Sequence, residues 1–202
     1  MPLITHRGAT PQVHPDAYIA PNAVVCGDVH IGAEARVLFG AVVTAEDGRV
    51  TIGHRCVIRE NALIRGRGIH PVEIGDNVLI GPHAHVNGAN IGEECFLATG
   101  CSLFPGSRLA ARVEVRINGV VHANTALPAD ATVPIAWVAV GDPAQVLSPD
   151  QHEKIWAIQR DLDFEGTVYG ATDDTSFADV MAQQAQWYGR HRGDQVADER
   201  LR

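Results

Sequence analysis

Over most of the chain an apolar residue returns at intervals of six. Positions 25, 31, 37, 52, 58, 74, 80, 91, 97, 103, 109, 115, 121, 127 and 133 are all Ile, Leu or Val. The residue four further on is usually small: Ala35, Ala41, Cys56, Ala62, Ala84, Cys95, Cys101, Thr125 and Ala131. A helix repeats at about 3.6 residues and an ordinary strand at about 2, so neither accounts for a period of six. A solenoid of short flat strands does, with the apolar and the small residue both pointing inward and a turn following. Three such segments make one triangular coil of about eighteen residues, and neighbouring coils pair in parallel roughly 4.8 Å apart. The expected fold is an all-β solenoid over residues 17–147 with α-helices after it.

The register breaks twice. Residues 43–51, with the turn signal Asp47-Gly48, and residues 65–73, RGRGIHPVE, each insert a loop. They leave adjacent coils, and loops of this kind are where solenoids tend to carry function. Residues 1–16 are polar and contain three prolines, so they read as an extended N-terminal arm with His6 and His14 at the surface. Residues 148–189 read as helical. Ser148-Pro149-Asp150 suits a helix start, and Ile155, Ile158 and Leu162 line one side. Thr172 to Ser176 opens a second helix, striped by Phe177, Val180, Met181, Ala185 and Tyr188. Residues 190–202 form a charged tail, expected to fray.

A net charge of −8 argues against non-specific binding to nucleic acid or an anionic membrane. There is no apolar run of about eighteen residues, and MPLITHRG does not read as a leader, so the expectation is a cytoplasmic protein. Cys26, Cys56, Cys95 and Cys101 lack a CxxC spacing. Three of them occupy the small inward position, so all four are expected as core thiols.

The stretches AYIAPNAVVCGDVHIG, GAVVTAEDGRVTIG, IRENALIR, IGDNVLIG and VAVGDPAQV resemble the γ-class carbonic anhydrases, hexapeptide-repeat proteins with a left-handed parallel β-helix. The left hand is implied by the resemblance alone, since parallel crossovers are otherwise almost always right-handed. The resemblance also implies a homotrimer with zinc at each subunit interface. Three histidines would hold the ion, leaving an open position for a bound water whose pKa falls to about 7. At those three positions this chain has Arg65, Pro82 and Asn87, and the family's RGD and its Gln appear as Thr44-Ala45-Glu46 and Arg59. Ordinary carbonic anhydrase activity through that zinc is therefore not expected, and no cofactor is predicted at the inherited site.

Zinc remains open only through a shifted site drawing on His83, His85, His70 or His122. The substitutions themselves point to an anion, because guanidinium pairs with carboxylate through two parallel hydrogen bonds. Arg59 and Arg65 lie one segment apart at the same place in the repeat. They are expected to clamp a small carboxylate or acyl anion between subunits, with Glu60, Asn87 and His83 as further binding residues. His85 or Glu46 is the expected acid or base, and Arg59 is grouped with them. The reading is of an enzyme, a lyase or hydrolase of altered chemistry. Two alternatives stay open. One is a hexapeptide acyltransferase taking acyl-CoA with His83, His85 or His122 as base. The other is an inactive trimeric scaffold in which Arg59, Arg65 and Glu60 form salt bridges.

Overall fold

The computed structural model describes residues 3–172 and 174–197. The chain winds as a left-handed parallel β-helix of about eight turns with helices at its C-terminal end. Its three faces are parallel sheets. The first stacks Leu3–Thr5, Val24–Cys26, Val42–Ala45, Leu63–Gly66, His85–Asn87, Ser102–Leu103, Val120–Val121 and Val138–Val140. The second runs from Gln12–Val13 to Ala126–Leu127, and the third from Tyr18–Ile19 to Thr132–Val133.

Every residue of the six-residue apolar series is buried, and most are 0–1 % exposed. Stacked in register, they form columns such as Val43–Ile64–Val86–Leu103–Val121 along the first face. Each such side chain contributes about 1.5–3 kcal/mol by leaving water. Among the small inward residues, Cys56, Cys95 and Cys101 are buried free thiols, as the spacing predicts. Three positions after the inward apolar residue the backbone turns left-handed, at Glu34, Arg55, Asn61, Asn77 and His83 with φ of +51° to +58°. A φ of that sign lets the chain turn each corner within two residues.

The N-terminal stretch departs from its expected place. Leu3–Thr5 pairs with Val24–Cys26 and Gln12–Val13 with Val29–Ile31, so residues 3–13 are part of the first coil and not an arm laid across it. His14 is exposed, but His6 is buried at 3 %. The apolar period is hidden there because the corner at Arg7-Gly8 carries polar residues with positive φ.

Three helices follow the solenoid: α1, His152–Gln159; α2, Phe164–Tyr169; and α3, Phe177–Tyr188. Ser176 caps α3, its hydroxyl accepting from Asp179 N–H while the Asp179 carboxylate accepts from Ser176 N–H. The short α2, capped by Asp163, carries no periodic stripe long enough to read. Together the helices return along the outer side of the first face. Ile155 packs with Val140 and Leu147 at the last coil, Phe164 lies against Phe104 and His122, and Tyr188 lies by Arg65. The chain does not fray at Arg190. A short turn over Gly189–Gly193 leads to Gln195–Val196, which pairs antiparallel with Leu3–Thr5. At the other end Gln145–Leu147 pairs antiparallel with Val138–Val140. Residues 198–202 of the expected tail lie outside the described residues.

Candidate functional site

The outer side of the first face carries most of the chemistry. Strand register sets Cys26, Thr44, Arg65 and Asn87 in one row, and the same row continues to Phe104 and His122. A second outward row holds Leu63, His85 and Ser102. These rows lie under the C-terminal segment, so side chains that would be exposed on a bare solenoid are here half-buried or buried.

Arg65 and Asn87 are directly opposite each other on paired strands. Arg65 Nε and Asn87 Oδ1 are both buried and both lack a hydrogen-bond partner. Arg65 takes part in none of the ion pairs formed among the described residues. Its guanidinium carbon sits 5.8 Å from the centre of the Tyr188 ring, a cation–π contact. A buried donor and acceptor left open cost about 1–3 kcal/mol each, which marks the pair as a place for a ligand.

His85 is half-buried and edge-on to Phe104, with ring centroids 6.4 Å apart. Burial, and then the charge of Arg65, hold its pKa below the ordinary imidazole value. Burial alone does the same to His70, and it dominates at His122, where the Ala123 backbone opposes it. His122 forms a triangle of rings with Phe104, stacked at 5.9 Å, and Phe164, tilted at 5.1 Å, and has a buried, unpartnered Nδ1. Burial thus favours the neutral imidazole at both His85 and His122.

Other expected site residues are elsewhere within the chain. Arg59 and Glu60 follow the third face, where they pair with each other at 2.9 Å. Two residues at the same phase but one segment apart fall on different faces of a triangular coil. The residues above and below Arg65 are accordingly Thr44 and Asn87, each one full coil away. His83 occupies a left-handed corner, where it is exposed and its N–H donates to the Glu60 carbonyl at 3.0 Å. Glu46 is near the row but engaged. Its carboxylate accepts from the Thr44 hydroxyl at 3.1 Å and from His191 Nε2 at 3.0 Å. Among the described residues, His70, His83, His85 and His122 do not converge into a group of three metal-ligating atoms.

Beside this face the loop over Arg67–His70, α2 and α3 enclose a cleft of about 500 Å³. Arg67 donates to the Val168 carbonyl and lies over the Trp187 ring, and Asn124 donates to Leu162 and Thr167. The two inserted loops meet here, Gly68 N–H donating to the Asp47 carboxylate at 2.5 Å. Of the aromatic residues of α3, Phe177 and Tyr188 were legible in its stripe, while Trp187 lay at the stripe's edge; the placement of Tyr188 by Arg65 and of Trp187 by Arg67 was not legible.

No family model matches the chain. It is 32% identical to a mitochondrial γ carbonic anhydrase of Arabidopsis thaliana over 151 residues, covering 72% of this chain and 53% of that protein. It is 28% identical to a carbonic anhydrase of Geobacillus kaustophilus over 98 residues, covering 48% of this chain and 54% of that protein. A carnitine operon protein of Proteus is 34% identical over 116 residues, 48% of this chain and 59% of that protein. The chain thus spans about half the length of the curated relatives it matches. Among solved structures, a hexapeptide transferase family protein from Anaplasma phagocytophilum is 24% identical with a TM-score of 0.44, covering 79% of this chain and 90% of that one. At that score the likeness carries no functional argument. The repeat, the helix it builds and these relatives together place the chain in the γ-carbonic-anhydrase-like group of hexapeptide-repeat proteins.

Proposed function

We propose that the outer side of the first face is a binding site for a small carboxylate or acyl anion, with Arg65 as its cationic anchor. The observation that carries this reading is the pair of buried, unpartnered atoms, Arg65 Nε and Asn87 Oδ1, side by side on adjacent strands. An anion with one charged oxygen and one hydroxyl, such as hydrogen carbonate, satisfies both. His85, one row over and with its pKa lowered by burial, would accept a proton from a bound hydroxyl or water.

The zinc of the γ-class enzymes does not fit the inherited positions. A guanidinium stays protonated, proline has no side-chain donor and an amide oxygen is a poor zinc ligand, so Arg65, Pro82 and Asn87 make no set for the ion. Arg59, Glu60 and His83 stand apart from Arg65 within one chain. They join the site only if a second copy brings its third face against the first face, as a trimer would.

The test is calorimetric titration of acetate, hydrogen carbonate and acetyl-CoA into the wild type, Arg65→Ala and Arg65→Lys. A charge-assisted hydrogen bond is worth about 1.5–3 kcal/mol, so Arg65→Ala weakens the small anions about 10–100-fold. Arg65→Lys keeps part of the affinity. Binding moves the His85 ring resonances in an NMR spectrum. Equal affinity in wild type and Arg65→Ala overturns the reading, and so does an absence of binding by any of the small anions. Binding of acetyl-CoA alone moves the chain to the acyltransferase reading.

A further inference from the structure

Away from Arg65, four side chains from opposite ends of the chain converge at the first coil. His6 follows the first strand, Cys26 ends the next strand of the same face, and His191 and Asp194 belong to the segment that returns over them. One donor atom from each, imidazole nitrogen, thiol sulfur and carboxylate oxygen, lies within 4.8 Å of all the others. Asp194 is the hub. Its Oδ1 is 2.5 Å from His6 Nδ1, and its Oδ2 is 2.7 Å from His191 Nδ1 and 3.9 Å from Cys26 Sγ. The two imidazoles stack with centroids 4.4 Å apart. His6 and Cys26 are 3 % and 4 % exposed.

We propose that His6, Cys26, His191 and Asp194 form a four-coordinate Zn²⁺ site that fastens the C-terminal segment to the first coil.

Four features separate this cluster from an ordinary hydrogen-bond network. The donor set is mixed thiolate, imidazole and carboxylate, the combination that suits zinc, and four protein ligands make a closed, structural site. Ligand atoms around tetrahedral zinc stand roughly 3.3–3.7 Å apart, within the spacing of these four, and the stacked imidazoles have to rotate out of their stack for both ring-plane lone pairs to reach the ion. Glu46 supplies the outer support: its carboxylate, itself held by the Thr44 hydroxyl, accepts from His191 Nε2 at 3.0 Å. That bond fixes the ring with Nδ1 turned toward the cluster, as outer carboxylates do for metal-bound histidines. Charge balances as well. Two neutral imidazoles, one thiolate and one carboxylate neutralise the dication.

Without metal, the same groups are poorly matched. Burial, with Asp194 second, pushes the Cys26 thiol up to about 12, so its sulfur is held protonated beside two carboxylates. His191 is partly desolvated, yet Asp194 and Glu46 outweigh this and raise its pKa. Zinc binding at neutral pH therefore releases the thiol proton and the extra imidazolium proton to solvent.

The full chain, stripped with chelator, is titrated with Zn²⁺ alone against a chromophoric competitor, and with Co²⁺ for its spectrum. The expected result is one zinc per chain. Proton release shows as a dependence of the binding heat on buffer, and the cobalt form shows a thiolate charge-transfer band. Cys26→Ser abolishes that band. His191→Ala, at a partly exposed position that leaves the solenoid intact, weakens zinc more than the 10–100-fold expected of an outer residue such as Glu46. Arg65→Ala leaves zinc binding unchanged, which keeps this result separate from the fate of the anion site. A wild type that binds no zinc overturns the proposal. So does zinc binding that Cys26→Ser and His191→Ala leave intact.

Discussion

Replacing Glu46 by alanine in the metal-free protein tests how the chain's two ends are held together. The carboxylate is 4 % exposed and accepts two hydrogen bonds, from the Thr44 hydroxyl at 3.1 Å and from His191 Nε2 at 3.0 Å. The bond from the uncharged Thr44 hydroxyl is worth about 1.5 kcal/mol, the low end for a bond to a charged group, and the one from the protonated imidazole about 1.5–3 kcal/mol. His191 is a third exposed, which puts the second at the low end of its range. The expected loss near pH 6 is about 2–3 kcal/mol, a drop in Tm of roughly 5–10 °C for a chain of this size. His191's pKa is raised in the folded state, so its ionic contribution is complete below about 6.5, the value for an unfolded histidine. The contribution fades as pH climbs through the raised folded value. Urea unfolding in chelator at pH 6 and pH 9 should show the Glu46→Ala penalty shrinking toward the Thr44 bond alone. An equal penalty at both values, or one under about 0.5 kcal/mol at pH 6, refutes the idea that this contact holds the C-terminal segment.

Two further outcomes are expected. Gly66→Ala would put a Cβ 2.2 Å from the Gly48 carbonyl oxygen and 2.8 Å from that of Arg49, both backbone atoms of the coil below. The strand carrying Arg65 must shift, so thermal stability falls and small-anion affinity falls with it; retained stability would show that this corner is loose. Phe164→Ala uncovers His122, whose pKa is held down mainly by burial. Its pKa, followed by NMR, should rise toward the ordinary histidine value, and an unchanged pKa would mean that α2 does not keep water from this ring.

From Ile19 onward the inward columns were legible because one rule, apolar then small four residues later, decides each segment without reference to any other; in the first coil the polar corner at Arg7-Gly8 hid it. The outward surface was less so. Arg59 and Arg65 share a phase in the repeat, but a triangular coil turns a corner between successive segments, and only residues a whole coil apart become neighbours. That is why Asn87 meets Arg65 and Arg59 does not. The loop insertions make the spacing between coils unequal, so this pairing has to be counted through Asp47-Gly48 and the RGRGIHPVE loop. The cluster of His6, Cys26, His191 and Asp194 had no local signature at all. Its members are brought together by the return of the C-terminal segment, and a chain read from one end to the other offers no cue to a contact spanning nearly its whole length. Glu46 was picked out by its place in the family's motif, and the structure gives it a partner, His191, that the motif does not contain.

The strands that close the first face also bear on what the solenoid can grow into. Parallel coils stack by offering each successor the same ladder of donors and acceptors, so a bare end is a template for another coil of identical chemistry, its own or a neighbour's. Here the first face ends in a strand of opposite direction on both sides, Gln195–Val196 against Leu3–Thr5 and Gln145–Leu147 against Val138–Val140. The reversed strand uses up the ladder and presents a different one. Along that face the sequence carries its own full stop at each end, and the stop at the first coil comes from the segment after α3. A truncation before Gln195 would therefore bare the first coil on this face while the far end stays closed, so that two copies could meet through their first coils but not extend into a longer stack.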